Sequence, residues 1–512
     1  MELKHAIPRG TPIYGVDVGN GFGKVSILRV FHEDPLFLLP EALRAGMPST
    51  AYVSPDDGSI QVYGAKKKLS TRAVRAVKTR LREEYIDLEE KGKTFRVSPA
   101  AVYAAIARDL VDLANQERKK RGDKPVYQLV LTYPASFRFS PDLLGQLKRS
   151  VESVELDGHK LEVCGMISEP AAVAVDYLYY IRNLAAQPIT ASKYTVLVYD
   201  LGHGTYDAAV VTAYADSDKD CDLICQDGDP EIGGQKFDEL LYNELAAKIR
   251  RQAGEKAVFN RESLRSLTIE MKHELSLPDG EMSERDFPVG DGEVLLRVTR
   301  QEFEKLIAPQ VHRTLELAQS LLDEAKSRGV PVDAIVLSGG SSKIPMIRQA
   351  LLALTENTMP VEIYRPSEGV TFGAARAAHD LYEREEDKPK SPQVLTQHCE
   401  RSCGIGLGDT IHLLLNEDAV LPCSSRPFPI VTSASGRSEI RLYSAKERMP
   451  GVQQANWTDC GEILRLFMTL PASQNCTLTL RMGLDRCIYV DCALPDGSVI
   501  TQSTFQSNKK EE

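Results

Sequence analysis

The chain has 512 residues, too many for one compact hydrophobic core, so we expect it to divide into two large pieces. Its 42% hydrophobic and 26% charged residues are ordinary for a globular protein and exclude a disordered or fibrous chain. The formal net charge of -10 argues against a nucleic-acid partner, because proteins that bind nucleic acids need surplus lysine and arginine to neutralise phosphates.

The N-terminal segment and the cysteines indicate the compartment. Residues 1–10 carry charges and no apolar stretch, and no run of about twenty apolar residues follows, so we expect a cytoplasmic protein without a membrane partner. Seven of the ten cysteines follow residue 390, and in such a chain we expect reduced, mostly buried thiols. His398, Cys399 and Cys403 lack the second ligand pair that a zinc site needs.

Residues 1 to about 385 alternate short β-branched runs with longer amphipathic stretches, which is typical of an α/β architecture. The residue pattern predicts a helix over 98–122, with a serine cap and a proline at its start and a glycine at its end. It then predicts a strand over 126–132, a helix over 141–154 and a strand over 194–199.

The composition changes to Glu, Asp, Lys, Pro and Ser from residue 382 to residue 393, which predicts a solvated linker. Beyond it, apolar residues alternate with polar ones, which predicts a small all-β domain. This alternation is clearest over 440–442, 476–480 and 488–492. The predicted domains are 1–385, a linker over 386–398, and 399–512.

Two segments of the first domain share one pattern, an apolar strand that ends in an aspartate and a glycine-rich turn. They are Asp17-Val18-Gly19-Asn20-Gly21 and Asp200-Leu201-Gly202-His203-Gly204. Glycines let backbone amides approach phosphate oxygens, and a carboxylate beside bound phosphate most naturally holds a hydrated Mg²⁺. Paired across a cleft, Asp17 and Asp200 predict a magnesium–nucleotide site. The repeated pattern also indicates two related halves.

The commoner nucleotide motifs are absent from the sequence. The first loop does not fit G-x-G-x-x-G, and G-x-x-x-x-G-K-[ST] does not occur. A third glycine turn, Ser338-Gly339-Gly340-Ser341, follows an apolar strand and offers bare backbone against which adenosine fits.

These motifs, in this order, resemble those of the seventy-kilodalton heat-shock chaperones (DnaK-like), within the superfamily of actin, sugar kinases and chaperone ATPases. The resemblance implies an α/β actin-like two-lobed ATPase domain followed by an all-β sandwich domain, with no C-terminal helical lid. It also implies ATP or ADP with Mg²⁺ as cofactors. The shared motifs are 15–21, Gly64-Ala65-Lys66, Ala76-Val77-Lys78, 131–135, Ser168-Glu169-Pro170, 200–207, Ile232-Gly233-Gly234, 335–345 and Gly373-Ala374-Ala375.

The resemblance also implies roles for individual residues. The catalytic residues are Lys78, which positions the attacking water, Glu169 and Asp200, which polarise it or the metal, and Thr205, which lies by the γ-phosphate. The metal shell is formed by Asp17, Asp200 and Asp207. The nucleotide-binding residues are Gly19, Asn20, Gly21, Gly202, His203, Gly204, Gly233, Gly234, Lys272, His273, Ser276, Gly339, Gly340, Ser341 and Lys343.

The chain departs from the family at several of these positions. The family usually carries two threonines where Asn20 and Gly21 stand, and a glycine where His203 stands. Ile269 replaces a ribose-binding glutamate, and Lys343 replaces a stacking arginine. We expect these changes to affect adenosine affinity more than phosphate chemistry.

The linker also departs from the family, since residues 393–397 read QVLTQ where the family has leucines and an aspartate. We therefore expect weak coupling between the two domains. The expected function is an ATP-hydrolysing chaperone that binds extended peptides at a sheet edge, with a J-domain cochaperone and a nucleotide-exchange factor as partners. The alternatives are an ATP-binding regulatory platform or cochaperone with little turnover, a small-molecule kinase on the same fold, and a filament-forming protein.

Overall fold

The computed structural model of the chain describes residues 12–29, 34–54, 57–62, 73–90, 93–137, 140–214, 221–380, 395–483 and 486–503. The Gly64-Ala65-Lys66 motif and residues 386–394 of the predicted linker lie outside these ranges. Among the helices of the described ranges, none has both the length and the apolar composition needed to cross a lipid bilayer.

The first half of the α/β part is built on a six-stranded sheet with the order β13-β10-β1-β2-β3, in which β4 also pairs with β2. Its helices are α1 (Pro99–Lys120), α2 (Pro141–Glu152) and α3 (Glu169–Tyr179). Its strands are β1 (Tyr14–Val18), β2 (Phe22–Ile27), β3 (Leu36–Phe37), β4 (Met47–Pro48), β5 (Ala51–Val53), β6 (Ile60–Gln61), β7 (Ala73–Val74), β8 (Ile86–Glu90), β9 (Lys93–Val97), β10 (Gln128–Tyr133), β11 (Glu155–Leu156), β12 (His159–Lys160) and β13 (Glu162–Ser168).

The second half has its own sheet, with the order β20-β19-β14-β15-β16. Its strands are β14 (Lys193–Leu201), β15 (Tyr206–Tyr214), β16 (Cys221–Asp229), β17 (Met282–Val289), β18 (Gly292–Thr299), β19 (Ala334–Ser338) and β20 (Val361–Ile363). Its helices are α4 (Gly234–Ala253), α5 (Arg261–Leu275), α6 (Arg300–Ser327), α7 (Pro345–Leu354) and α8 (Gly369–Asp380).

The two main sheets share one topology. In each, a central strand, β1 or β14, runs parallel to β10 or β19 on one side and antiparallel to β2 or β15 on the other. The outer strands β13 and β20 continue the parallel side. The turns after β1 and β14 therefore occupy equivalent positions, as the repeated Asp-Gly pattern predicts. A shared apolar core that includes Val130, Ala172, Val198 and Ala374 joins the two halves.

Local sequence explains where the helices begin and end. Helix α1 starts after Ser98 with Pro99 in its first turn, and it ends before Gly122, whose φ of 79° glycine adopts without steric cost. Helix α6 starts with a capping box between Thr299 and Glu302. The predicted helices over 98–122 and 141–154 are confirmed to within two residues by α1 and α2.

The C-terminal part contains two five-stranded sheets that pack around one core. The first has the order β27-β23-β22-β26-β28, and the second has the order β24-β29-β30-β31 with β25 beside β29. Its strands are β21 (Leu395–Thr396), β22 (Cys403–Leu407), β23 (Thr410–Leu415), β24 (Cys423–Ser424), β25 (Phe428–Val431), β26 (Arg437–Ala445), β27 (Gln454–Ala455), β28 (Cys460–Thr469), β29 (Asn475–Met482), β30 (Ile488–Ala493) and β31 (Val499–Ser503).

The predicted alternation is confirmed in this β part, because every second residue of β29 and β30 is buried. All ten cysteines lie in described ranges, and all except Cys164 and Cys423 are buried, as predicted. Within the same ranges no three His, Cys, Asp or Glu side chains converge to ligate a metal directly.

Residues 395–400 attach the β part to the second sheet. Strand β21 pairs in parallel with β16, with Leu395 opposite Cys221. His398 Nε2 contacts the carboxylate of Asp222, and His398 Nδ1 lies 3.0 Å from the carbonyl oxygen of Asp418. Gln226 on β16 donates to the carboxylate of Glu400. Backbone pairing and polar side chains therefore hold the two parts together at this edge.

A buried arginine completes the junction. Arg486 of the β part donates to Oε1 of Gln397 at 2.9 Å and to the carbonyl oxygen of His398 at 2.9 Å. Arg486 is only 4% exposed, so its buried charge needs these acceptors and the nearby carboxylate of Glu400 to offset the loss of hydration.

Candidate functional site

The carboxylate of Asp17 lies near the carboxyl end of β1 and is buried. Its Oδ1 accepts a hydrogen bond from Oγ1 of Thr132 at 2.9 Å and from Nζ of Lys78 at 3.2 Å. Thr132 is on β10, whose carboxyl end meets that of β1 because the strands run in parallel. In open α/β sheets, ligands bind at such an edge.

Lys78 lies in a short 3-10 turn, Val77–Arg80, and is only 2% exposed. The preceding residue, Ala76, has a φ of 51°, a left-handed conformation that costs energy for any residue with a Cβ. The turn directs Nζ of Lys78 to Asp17 and also to Oε1 of Glu169, which opens α3. One ammonium thus lies between two buried carboxylates.

Burial and charge act in opposite directions on this cluster. Burial raises the pKa of Glu169, and the Lys78 ammonium opposes that rise. Burial acts to lower the pKa of Lys78, but the Glu169 and Asp17 carboxylates outweigh it and raise that pKa above its usual range. Lys78 therefore stays charged at neutral pH.

Two further carboxylates face the cluster from the second sheet. Asp200 on β14 and Asp207 on β15 lie opposite each other in register, and both are buried. The pKa of each is raised to about 7, mainly by burial, and for Asp200 the carboxylates of Glu169 and Asp17 contribute to the rise. Four buried carboxylates around one ammonium favour a bound cation.

This set of oxygen donors fits Mg²⁺, which prefers carboxylates and keeps several of its waters. The residues that would hold such an ion are Asp17, Asp200 and Asp207.

The first residues of α4 hydrogen bond to the second glycine loop. The amide of Gly202 donates to the carbonyl oxygen of Thr205 at 3.0 Å and closes the turn. The amides of Gly234 and Gln235 donate to the carbonyl oxygens of Gly202 and His203 at 3.0 and 2.6 Å. The N-terminus of α4, with Gly233 as its cap, therefore lies against this loop, where a helix favours anions.

His203 fits this turn without backbone strain, since it is not among the described residues with positive φ. Burial lowers the pKa of the His203 imidazole, and the charge of Lys272 lowers it further. The ring is therefore neutral at pH 7. Thr205 is buried beside it and hydrogen bonds to Asp207.

The predicted adenosine residues gather around α5 and the third glycine turn. Lys272 is buried, with Nζ 2.7 Å from Oδ1 of Asp238 and 3.2 Å from the carbonyl oxygen of Gly234. Ser276 donates to the carbonyl oxygen of Lys272 at 2.7 Å, and Ser341 donates to that of Gly202 at 3.0 Å. The third glycine turn thus contacts the second glycine loop directly.

The remaining adenosine-side residues lie at the surface or shape the turn. Gly339 has a φ of 80°, and a Cβ there would lie 2.3 Å from the carbonyl oxygen of Leu201. Glycine is therefore required at this position. Gly340 has open space around it, and His273 and Lys343 are exposed.

A cavity of about 910 Å³ opens between the two halves beside the second loop. The first half contributes Thr79, Arg82 and Phe137 to its wall, and the second half contributes Gly204 and Gln235. The second glycine loop thus borders, through Gly204, a cleft that both halves line.

Two residues of the site stand in the shared motifs but received no role from the sequence. Thr132 positions Asp17, and its signal was its place at the carboxyl end of a predicted strand. Asp238 neutralises Lys272. It closes the shared motif that runs from Ile232 through Gly233 and Gly234, but that motif implied no role for it, because Asp238 and Lys272 meet only through the packing of α4 against α5.

Comparison with known proteins identifies the family. The family model described as Hsp70 protein matches residues 61–449, a range that starts after the first phosphate loop. The chain is 25% identical over 369 residues to Heat shock cognate 70 kDa protein 3 of Dictyostelium discoideum, covering 71% of this chain and 55% of that protein. It is 29% identical over 379 residues to Chaperone protein DnaK of Mycoplasma mycoides, covering 71% and 58%.

A third relative aligns over more of both chains. Chaperone protein DnaK of Thermotoga neapolitana is 24% identical over 452 residues, covering 85% of this chain and 70% of that protein. The chain thus spans between half and two thirds of the length of the first two relatives. The mixed α/β part with its paired sheets, followed by a β part, fits the architecture that the resemblance implied. The chain belongs to the Hsp70 family.

Proposed function

We propose that this protein is a chaperone-type ATPase that binds ATP with Mg²⁺ in the cleft between its two halves and hydrolyses it. One observation carries the proposal. Lys78 is buried between Asp17 and Glu169, while Asp200 and Asp207 face it from the second sheet. Burying such a cluster of carboxylates costs free energy unless a bound cation, which carries the nucleotide phosphates, balances their charge.

Each group of residues has its own role in the proposed hydrolysis. The amides of the two glycine loops bind the phosphate oxygens, and Lys78 orients the attacking water and stabilises the charge that develops on the γ-phosphate. Glu169 or Asp200 accepts the proton of that water, since a carboxylate whose pKa is raised toward neutrality is a suitable general base. Asp17, Asp200 and Asp207 would hold Mg²⁺ through its water shell, and the ion would supply positive charge against the phosphates.

We assign peptide binding to the β part. Relatives named as chaperones support the assignment. So does the outer strand β28, which has ten residues and pairs along the described chain with β26 alone. An extended peptide adds to such an edge through backbone hydrogen bonds. J-domain and nucleotide-exchange partners are proposed on the same family basis.

Phosphate release by the purified wild type, with Mg²⁺ and with a chelator, tests the proposal. We expect slow, Mg²⁺-dependent turnover that an extended apolar peptide accelerates. ATP binding without turnover would support the regulatory platform instead, and phosphate transfer to a sugar would support the kinase. Failure to bind ATP at millimolar concentration would overturn all three.

A further inference from the structure

The two phosphate loops fit into each other through a reciprocal pair of contacts. Asn20 of the first loop lies over Gly204 of the second, where an added Cβ would be 2.1 Å from Nδ2 and 2.6 Å from Cγ of Asn20. His203 of the second loop lies over Gly21 of the first, where an added Cβ would be 3.3 Å from Cγ of the imidazole. Each loop thus offers one side chain and one glycine to the other.

Asn20 makes a second contact that links this pair to the catalytic lysine. Its Oδ1 accepts a hydrogen bond from the backbone amide of Lys78 at 3.1 Å, and the side chain is only 8% exposed. That amide belongs to the turn that starts from the left-handed residue Ala76, so the turn needs a fixed partner to keep its conformation. Asn20 supplies that partner while it packs on Gly204.

We propose that Asn20 is a positioning residue, which holds Lys78 in its catalytic position only while the two phosphate loops keep their present separation. His203, packed on Gly21, fixes the same separation from the other side. The inference rests on the proposed function and gives Asn20 a role beyond phosphate binding. If the loops move apart, Asn20 no longer packs on Gly204, and the turn of Lys78 loses Oδ1 of Asn20 as the acceptor for its amide. Misplacing a catalytic group by about 1 Å lowers turnover by roughly 100-fold.

A double-mutant cycle on Asn20 and Gly204 tests the first contact. Asn20→Ala should lower kcat by roughly 10- to 100-fold with ATP affinity changed by less than about 3-fold, since the loop amides still bind phosphate. Gly204→Ala should lower kcat similarly, because its Cβ displaces Asn20. In the double variant the added Cβ meets only the Cβ of residue 20, 2.9 Å away, so Gly204→Ala should cost less kcat there than in the wild type. Additive losses would overturn the inference.

The second contact has its own cycle. Gly21→Thr should impair turnover in the wild type, where His203 fills the space, and should be tolerated when combined with His203→Gly. Equal impairment in both backgrounds would contradict the reciprocal fit. A fall in ATP affinity with unchanged kcat in Asn20→Ala would make Asn20 a phosphate ligand and nothing more.

The two proposals fail separately. If the wild type hydrolyses no ATP, the proposed function fails, and coupling between Asn20 and Gly204 in the unfolding temperature still decides whether the contact exists. If the wild type hydrolyses ATP and the kcat losses add, the positioning role alone is wrong.

Discussion

Nζ of Lys78 lies 3.2 Å from Oδ1 of Asp17, although 61 positions separate the two residues along the chain. Asp17 takes a second hydrogen bond from Thr132, so its carboxylate is fixed from two sides. The ammonium is therefore positioned by the first sheet as well as by its own turn.

Replacing Lys78 by alanine should lower ATP turnover by roughly two to four orders of magnitude and leave ATP binding nearly intact. The variant loses one positioned charge at the reacting phosphate but keeps the loop amides. Single-turnover hydrolysis and calorimetric ATP titration measure the two effects. Lys326→Ala, at an exposed position of α6, is the matched control. Unchanged turnover in Lys78→Ala would assign the measured activity to another route or to a contaminant.

Asp200→Asn should weaken ATP binding more in the presence of Mg²⁺ than in its absence. The proposed role of the carboxylate runs through the metal's water shell, and the amide removes its charge while keeping its shape. Calorimetry with Mg²⁺ and with a chelator compares the two affinities, and Asp286→Asn on exposed β17 serves as control. Equal losses in both conditions would make Asp200 a structural carboxylate.

The single tryptophan reports on the β part alone, since Trp457 is 40% exposed and stacks edge-on against Tyr443 at 4.9 Å. We expect ATP to cause a small change in its emission. The described linker residues bury a single leucine, Leu395, and buried apolar surface stabilises docking by only about 25 cal/mol per Å². Leu395→Asp should remove the change, whereas Val431→Asp at an exposed position should not.

Two other outcomes would alter that view of the linker. A large ATP-dependent change that Leu395→Asp abolishes would show strong coupling and contradict the expectation drawn from the missing leucines. No change at saturating ATP would favour the regulatory platform over a cycling chaperone.

Docking of the β part should weaken as pH rises. Both ring nitrogens of His398 face acceptors, the Asp222 carboxylate and the Asp418 carbonyl, so the docked geometry needs the doubly protonated ring. The hydrogen bond to Asp222 raises the pKa of His398 above its ordinary 6.5, against the effect of burial. Its stabilisation is therefore complete below that ordinary value and is lost as pH climbs through the raised one.

Small-angle scattering between about pH 6 and pH 8 measures this loss as a larger radius of gyration at the higher pH. His398→Gln, which stays neutral, should remove the pH dependence, and His312→Gln on exposed α6 should preserve it. The other charges at this contact include Asp418 with its partners Arg448 and Arg328, and Arg486 with Glu400. Persistence of the pH dependence in His398→Gln would move its origin to one of them.

The sequence by itself determined the elements and the chemistry of the loops. Helices α1 and α2 follow from their start and stop residues, and β29 and β30 follow from alternation, because both patterns are local. The Asp-Gly turns after β1 and β14 could be predicted for the same reason, because the glycines and the carboxylate that define each turn lie within a few residues of each other.

Only the tertiary structure decided which distant groups meet. Glu169 reaches Lys78 across 91 positions because β13, β10 and β1 lie side by side, and strand order is not written in any local pattern. The contact between Asn20 and Gly204 joins the two halves, and it depends on how their sheets pack around a shared core. Side-chain contacts between remote segments are set by strand order and helix packing, so sequence pattern alone could name the residues but not pair them.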